Sequence, residues 1–443
     1  KNVSGINEIG EEQPLMEAGL DSLSAVEFRN KIQKEFGIPM DSTVMFDYPT
    51  IRDLVNLINT KLDGDSKKLK IATKSGYSNE PIAVIGMACR MPGNSDNLEK
   101  FWNMLIKKKD TTLKVPKNRF DIDKYYDSNM DAEDKIYAPY MSAINEPYHF
   151  DYSFFGLSNV EAEHINPQAL QALEASYLAI HDAGYEKDDL FDTLTDVYLG
   201  IETINTESKT SNVYTATSEA LSCASGRISY LFGLKGASMS VNTACSSSLV
   251  TIDLAVTSLR NHKSDMAFAG GVNIISDPNG HIMFSRLHML STDGKCKTFD
   301  SRANGYVRGE GVGIVLLKRA VEASEDRVHA LIRGTAVQQD GRSSTLTAPN
   351  GPSQELTIAR ALADAGLEPD DIDFIECHGT GTALGDPIEI HAIRNVYSER
   401  EQSQPLYLGA LKSNIGHLET AAGVAGFIKT ILSLQYRKLP ANI

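Results

Sequence analysis

The segment Val241-Asn-Thr-Ala-Cys245-Ser-Ser-Ser-Leu249 decides the fold of this 443-residue chain. The apolar run 237–241 predicts a strand before it, and apolar residues at helical spacing predict a helix after it. An isolated cysteine is most often a small buried apolar residue. Cys245, however, stands at a predicted strand-to-helix junction among small residues, where a thiol has its pKa lowered and its sulfur accessible. We therefore expect Cys245 to be a nucleophile.

Two further segments place histidines among small residues. In Glu376-Cys-His378-Gly-Thr-Gly-Thr-Ala-Leu-Gly-Asp-Pro-Ile-Glu389, a histidine follows an apolar run and precedes glycines that permit close backbone approach. A buried core histidine is the alternative, whereas the glycine spacing fits neither a dinucleotide loop nor a P-loop. In Lys412-Ser-Asn-Ile-Gly-His417-Leu-Glu-Thr-Ala-Ala-Gly-Val-Ala-Gly426, a second histidine opens a predicted helix. Taken alone, this second segment is indistinguishable from a surface turn.

Composition excludes several classes of protein. Hydrophobic residues make up 42% and charged residues 23%, which is typical of a folded globular chain. The net charge of -15 argues against nucleic-acid binding, because such proteins need a basic surface. The five cysteines are scattered without a C-x-x-C pair, so we expect neither a disulfide framework nor a metal site. Without a signal core or an apolar run long enough to span a membrane, we expect a cytoplasmic protein.

The chain divides at a polar stretch of small residues over 63–79, which predicts a linker. Before it, apolar residues recur at helical spacing in two groups, Ala25, Phe28, Ile32 and Phe36, then Ile51, Leu54, Val55 and Ile58. After it, short apolar runs alternate with helical stretches, as in a buried sheet covered by helices. We therefore predict a small helical unit over 1–62 and one large α/β domain over 80–443.

The helical unit contains Gly19-Leu20-Asp21-Ser22-Leu23, which alone is an ordinary helix start. The longer stretch Pro14-Leu-Met-Glu-Ala-Gly-Leu-Asp-Ser-Leu-Ser-Ala-Val-Glu-Phe-Arg-Asn30, followed by Phe46-Asp-Tyr-Pro-Thr50, closely resembles the acyl carrier domains of modular polyketide synthases. This resemblance implies that a phosphopantetheinyl transferase esterifies Ser22 with 4′-phosphopantetheine. A phosphodiester at a helix amino terminus also faces the positive end of the helix dipole.

From residue 80 onward the chain resembles the β-ketoacyl synthase domain of modular polyketide synthases and their fatty-acid synthase relatives. The resemblance rests on the order Cys245, His378, Lys412, His417. It also includes the stretches Pro81-Ile-Ala-Val-Ile-Gly-Met-Ala-Cys-Arg-Met-Pro-Gly93, Ala224-Ser-Gly-Arg-Ile-Ser-Tyr230 and Thr298-Phe-Asp-Ser-Arg-Ala-Asn-Gly-Tyr-Val-Arg-Gly-Glu-Gly-Val-Gly313. It implies an α/β, thiolase-like αβαβα sandwich that forms a homodimer, preceded here by a small, partial all-α carrier bundle.

The implied reaction is polyketide chain elongation by decarboxylative Claisen condensation. Cys245 takes an acyl chain from a carrier phosphopantetheine and is then attacked by the enolate of a malonyl-type extender. His378 and His417 would stabilise the enolate oxygen, and Lys412 would orient and polarise the histidines. The implied partners are acyl and malonyl-type carrier domains and an acyltransferase that acts in cis or in trans.

Two alternatives stay open: a non-elongating domain that only transfers acyl chains, and an iterative fatty-acid-type synthase or a thiolase. The presence of both histidines favours elongation. The sequence departs from the family at Asn242, where Asp is usual, at Asn166-Pro167-Gln168-Ala169, which replaces Asp-Pro-Gln-Gln-Arg, and at Cys377, where Ala is common. Only 21 residues precede Ser22, and the chain stops soon after Leu439-Pro440. We therefore expect a carrier domain truncated at its amino end and a synthase domain truncated at its carboxyl end.

Overall fold

The computed structural model describes residues 10–16, 18–20, 22–62, 79–202, 214–398, 400 and 404–443. These residues belong to two compact units. The first lies within Lys1–Lys74, Ala336–Asp371 and Leu384–Pro405, and the second within Ser75–Thr335, Ile372–Ala383 and Leu406–Ile443. The predicted linker lies outside the described residues except at residue 79. The domain boundaries 1–62, 63–79 and 80–443 therefore stay a prediction.

The secondary structure alternates between helices and strands after the first three helices. The helices are α1 (Ser22–Phe36), α2 (Val44–Asp47), α3 (Ile51–Leu62), α4 (Leu98–Ile106), α5 (Asn159–Ala162), α6 (Pro167–Asp182), α7 (Thr215–Glu219), α8 (Leu221–Phe232), α9 (Ser247–Arg260), α10 (Asn279–Arg286), α11 (Gly351–Ala365), α12 (Gly385–Val396), α13 (Lys412–Ile415) and α14 (Ala422–Tyr436). The strands are β1 (Ile82–Arg90), β2 (Thr112–Lys114), β3 (Tyr140–Ser142), β4 (Thr195–Gly200), β5 (Ser238–Val241), β6 (Met266–Asn273), β7 (Arg308–Gly309), β8 (Gly311–Arg319), β9 (Ala330–Ile332), β10 (Phe374–Glu376) and β11 (Tyr407–Gly409).

The first unit is helical in its described part. Helices α1 and α3 form as their apolar spacing predicts, and they bury Ala25, Ile32, Leu54 and Ile58 in a common core with residues of α2. Gly37 ends α1 with a φ of 66°, a left-handed conformation that glycine adopts without steric cost. The same unit contains α11 and α12, which pack against each other.

The second unit is built on a six-stranded mixed sheet in the order β5-β4-β6-β8-β1-β9. Strands β1, β4, β6 and β8 are buried along almost their whole length, which fits a sheet covered on both faces. Helices α6 and α8 pack on one face, and α9 and α14 pack on the other. Helix α14 also contacts β10, which pairs in parallel with β11. These α, β, α and β layers agree with the predicted sandwich.

The departure at Asn166 preserves the start of α6. Its side chain accepts a hydrogen bond from the backbone N–H of Gln168 at 2.9 Å, and Pro167 occupies the first helical position. Asn is as good an amino-terminal cap as Asp, because each supplies the side-chain oxygen that a free backbone N–H needs. This substitution therefore leaves the helix that covers the sheet intact.

Candidate active site

Cys245 lies in the tight turn that joins β5 to α9. Ala244 immediately before it has a φ of 55°, a left-handed conformation that costs a non-glycine residue roughly 1–2 kcal/mol. Hydrogen bonds hold the turn: Asn242 Oδ1 accepts from the Ala244 N–H at 2.9 Å, and Ser247 Oγ accepts from the Thr243 N–H at 2.9 Å. Asn242 thus supplies the same acceptor oxygen that an aspartate would supply at this position.

The four residues predicted for the synthase site come together in the second unit. The Cys245 Sγ and a ring nitrogen of each of His378 and His417 all lie within 4.8 Å of one another. The two imidazole rings have centroids 5.5 Å apart and stand nearly perpendicular, at 84°. Lys412, the first residue of α13, is buried and acts electrostatically on all three groups. The catalytic roles of these residues stay a prediction.

The ring of His417 is held in one tautomer. The backbone N–H of Glu419 donates to its Nδ1 at 2.9 Å, so a neutral ring carries its proton on Nε2. Burial and the neighbouring Lys412 cation lower the pKa of His417 well below its ordinary value, which keeps the ring neutral. The His417 main chain also bonds to Val307 at 2.7 Å and Gly309 at 2.8 Å. His417 is therefore a rigidly placed Nε2–H donor.

His378 follows β10 at a point where the chain turns sharply. Gly379 has a φ of 51°, and a Cβ at this position would lie 2.7 Å from side-chain atoms of both Ala410 and Thr298. The Thr298 hydroxyl donates to the Gly379 carbonyl at 2.6 Å, and the Cys377 N–H donates to Gly409 at 2.8 Å. The His378 side chain keeps an exposed surface, but the protein packed around its ring and the charge of Lys412 lower its pKa to about 3, so this ring is also neutral at pH 7.

The thiol of Cys245 differs from the expectation drawn from its position. Burial raises its pKa, and this effect outweighs the lowering by the Lys412 cation and by the backbone N–H of Cys245 itself. The expected lowered pKa is therefore wrong, because surrounding protein excludes water from the sulfur and disfavours the thiolate. At neutral pH Cys245 is therefore a protonated thiol.

A buried ion pair supports the histidine site, and its two residues were not predicted from the sequence. Arg308 donates to the two carboxylate oxygens of Glu419 at 2.5 and 2.9 Å, with side chains only 8% and 11% exposed. Arg308 also donates to His281 Nδ1 at 3.1 Å. Because the Glu419 N–H is the donor to His417, anchoring the Glu419 carboxylate fixes that N–H in place. Both residues lie within the family motifs, but 111 positions separate them in the chain.

A cavity of about 330 Å³ opens over these groups. Its polar lining residues are Cys245, Ser246, Glu376, His378, Lys412 and Thr430. The rest of its walls are mostly apolar, formed by residues such as Leu249, Leu411, Ile415, Leu418 and Phe427. An apolar cavity with a few convergent polar groups is suited to a hydrophobic substrate that reacts at one polar end. Cys377, one of the departures from the family, also lines this cavity.

Ser22 is the first residue of the 15-residue helix α1, while its side chain lies outside the described part of the structure. The first turn of α1 contains no acidic residue that would repel a phosphate. Free backbone N–H groups and the helix dipole favour an anion at such a position. The helix start therefore fits the phosphodiester of a 4′-phosphopantetheine arm.

Three protein-family models match successive parts of the chain. Residues 79–323 match the family model of the β-ketoacyl synthase N-terminal domain, and residues 329–443 match that of the C-terminal domain. Residues 2–58 match the model of the phosphopantetheine attachment site, which indicates a covalently attached 4′-phosphopantetheine. Within the described residues, the helices are too short or too polar to cross a membrane.

The similar curated proteins are polyketide synthases. Pikromycin polyketide synthase component PikAII of Streptomyces venezuelae is 41% identical over 437 residues, covering 96% of this chain and 12% of the relative. Polyketide synthase GfsA of Streptomyces halstedii is 40% identical over 453 residues, covering 98% of this chain and 6% of the relative. The chain thus spans only a small part of the length of these relatives, 12% and 6%.

The similar solved structures are ketosynthases. The ketosynthase from module 6 of the bacillaene synthase from Bacillus subtilis 168 has a TM-score of 0.77 and 37% identity, over 82% of this chain and 63% of that one. The oxazolomycin ketosynthase domain OzmH KS7 of Streptomyces albus JA3453 has a TM-score of 0.77 and 36% identity, over 82% and 64%. These likenesses confirm the predicted thiolase-like fold class.

Proposed function

The chain belongs to the β-ketoacyl synthase family, and from this premise we propose that it elongates polyketide chains by decarboxylative Claisen condensation within a modular polyketide synthase. The proposal rests on one observation. The Cys245 sulfur and a ring nitrogen of each of His378 and His417 lie within 4.8 Å of one another, beside a mostly apolar cavity. One nucleophile and two neutral imidazoles are the groups that the two stages of this reaction require.

In the first stage, the Cys245 sulfur attacks the carbonyl carbon of an acyl thioester, and the carbon–sulfur bond to the donor thiol breaks. The cysteine proton ends on the departing thiol, so the exchange consumes no net proton. Lys412 opposes the effect of burial on the pKa of Cys245 and so favours the thiolate that attacks. The apolar cavity walls would hold the acyl chain.

In the second stage, a malonyl-type thioester loses carbon dioxide, and negative charge develops on its thioester oxygen. Neutral His378 and His417 stabilise this charge with ring N–H groups, and the low pKa of each ring keeps it from carrying a second proton. The enolate carbon then bonds to the acyl carbon, and the Cys245 sulfur leaves and takes up one proton. Shielding from water strengthens the interaction at His417, which is buried.

We assign the attachment of 4′-phosphopantetheine to Ser22, where the bound group would supply a long, flexible thiol that presents acyl groups as thioesters. The proposed partners are acyl and malonyl-type carrier domains, a phosphopantetheinyl transferase, and an acyltransferase in cis or in trans, all in the cytoplasm. Treatment with a transferase and coenzyme A should add one arm to the mass of the full chain but not to Ser22→Ala. An unchanged mass of the wild-type chain would refute the assignment.

We also propose a homodimer that pairs through β5. Among the described strands, β5 lies at the edge of the six-stranded sheet, and Met239 within it is half exposed. An edge strand presents backbone groups to which another chain can pair. Introducing a charge at this edge, as in Met239→Glu, should shift the sedimentation of the chain toward the monomer. A variant that sediments as the wild type does would argue against this interface.

The reaction is tested by separating its two stages. A small acyl thioester should label Cys245 in peptide mapping, and carbon dioxide release should follow addition of a malonyl-carrier. His378→Ala and His417→Ala should keep much of the labelling but lose the release of carbon dioxide. A label on Cys377 or Cys223 would refute the assignment of Cys245 as the nucleophile. Acylation of wild-type chain without any carbon dioxide release would favour the non-elongating alternative.

A further inference from the structure

The described residues of 10–62, here called the carrier region, contact α11 and α12 inside the first unit. The Oδ1 atom of Asp47, the last residue of α2, accepts a hydrogen bond from the Gly351 N–H at 3.1 Å. The main-chain oxygen of Asp47 accepts another from Asn350 Nδ2 at 3.2 Å. Gly351 is the first residue of α11, so the Asp47 carboxylate lies at the amino end of a 15-residue helix. This is where a helix binds an anion most favourably.

Charged and polar pairs surround this contact. Arg394 of α12 lies 3.1 Å from Asp41, and His391 of the same helix lies 3.3 Å from the Thr43 hydroxyl. Arg342 lies 3.8 Å from Glu12. In each ion pair the acidic residue lies in the carrier region, and the basic residue lies in or near the α11 and α12 segments. The ionic pairs are about half exposed, so solvent screens them and each contributes little alone.

One residue opposes these attractions. Glu355 lies on α11 one turn beyond Gly351, where it accepts a hydrogen bond from Asn395 at 2.7 Å. Burial raises the pKa of Glu355, and the carboxylates of Asp47 and Asp41 raise it further. Glu355 lies one helical turn from the Gly351 N–H that binds Asp47, so a charged Glu355 repels the Asp47 carboxylate. The contact therefore combines opposite-charge attraction with a built-in like-charge repulsion.

We propose that residues 41–48 form a docking surface by which the carrier region of this chain binds reversibly to α11 and α12, with Asp47 as its anchor and Glu355 as the group that limits its strength. This proposal rests on the proposed function, because it concerns delivery from the Ser22 arm to Cys245. Attraction holds the carrier at a raised local concentration, and repulsion prevents a contact too strong for release.

Substitutions at the attractive Asp41–Arg394 pair and at the repulsive Glu355 should have opposite effects on the strength of the contact. Asp41→Arg and Arg394→Asp should each loosen the contact, and the two together should restore it with the charges exchanged. Glu355→Gln removes the repulsion and should tighten it. Lys31→Glu, an exposed charge change on α1 in an intrahelical pair with Glu27, is a matched control that should change nothing.

The primary measurement is backbone amide exchange at Gly351 in the full chain, since that N–H is bonded to Asp47. Each single reversal should speed exchange by about twofold to fivefold, the double reversal should return it toward the wild-type rate, and Glu355→Gln should slow it. Transfer of an acyl group from the Ser22 arm to Cys245 should slow in the two single reversals and recover in the double variant.

Acylation of Cys245 by a small diffusible thioester should be the same in every variant and shows that each one is folded. If the single reversals leave Gly351 exchange unchanged, or the double variant is no better than either single one, the docking surface is refuted. Failure of the diffusible thioester to label wild-type Cys245 would instead refute the proposed function, whatever the exchange rates.

Discussion

The buried pair of Arg308 and Glu419 offers the sharpest test of how the histidine site is held. Arg308→Met removes a guanidinium that donates at 2.5 and 2.9 Å and leaves the Glu419 carboxylate in a site where its side chain is only 11% exposed. Breaking a buried ion pair by removing one partner costs about 3–5 kcal/mol. We expect urea unfolding at pH 7.5 to show a loss of this size.

The same substitution should affect the second stage of the proposed reaction more than the first. The Glu419 N–H fixes the tautomer of His417, and a displaced Glu419 no longer holds Nε2–H as the donor. We expect single-turnover release of carbon dioxide to fall by about tenfold or more, whereas acylation of Cys245 changes less.

The control is the double variant Arg308→Met with Glu419→Gln, which leaves no unpaired buried charge. It should regain most of the lost stability. Two results would refute the reasoning: an unfolding free energy within about 1 kcal/mol of wild type for Arg308→Met, or normal carbon dioxide release from it. A double variant as unstable as the single one would show that packing around Arg308, and not charge, is responsible.

Three further predictions follow from the site. Alkylation of Cys245 by iodoacetamide should have a pH midpoint above the ordinary thiol value of about 8.5, and Lys412→Met should move it higher; a midpoint below that value would contradict the effect of burial. Because the pKa values of His281 and His417 are lowered on folding, the unfolded chain binds more protons in acid. The free energy of unfolding should therefore stay constant above about pH 6.5 and decrease below it. A free energy of unfolding that does not change between about pH 8 and 5 would contradict this prediction. Gly379→Ala forces a left-handed alanine against two side chains and should reduce carbon dioxide release and melting temperature together, while unchanged melting would show that the turn relaxes.

Predictions that rested on a local pattern were confirmed. The periodic apolar residues around Ala25 and Ile32 formed α1, and the short apolar runs after the predicted linker became buried strands such as β1 and β8. The reason is that each of these elements is stabilised by residues that repeat along its own length. The motif order likewise placed Cys245 and both histidines in one site, because the family resemblance carries long-range information that spacing alone lacks.

Features that depend on distant contacts were not predicted. The raised pKa of Cys245 arises from water exclusion by segments far along the chain, so its position at a helix start gave the wrong direction. The Lys412 to His417 segment could pass for a surface turn, yet it is buried almost throughout. The pairing of Arg308 with Glu419 leaves no periodic signal, because a single contact between two segments repeats nowhere in the sequence.

The way the site is assembled has a consequence for recombination between synthases. Cys245 lies before residue 323, whereas His378, His417 and Lys412 lie after residue 329. A crossover between these positions therefore gives a chimera whose cysteine and histidines come from different parents. Among the bonds that cross that junction are the ion pair of Arg308 with Glu419 and the hydrogen bond from Gly309 N–H to the His417 carbonyl. The backbone bond forms with any pair of parents that share the fold, but the ion pair requires both parents to carry the matching charges. Chimeras of this chain should therefore inherit residues 308 and 419 together.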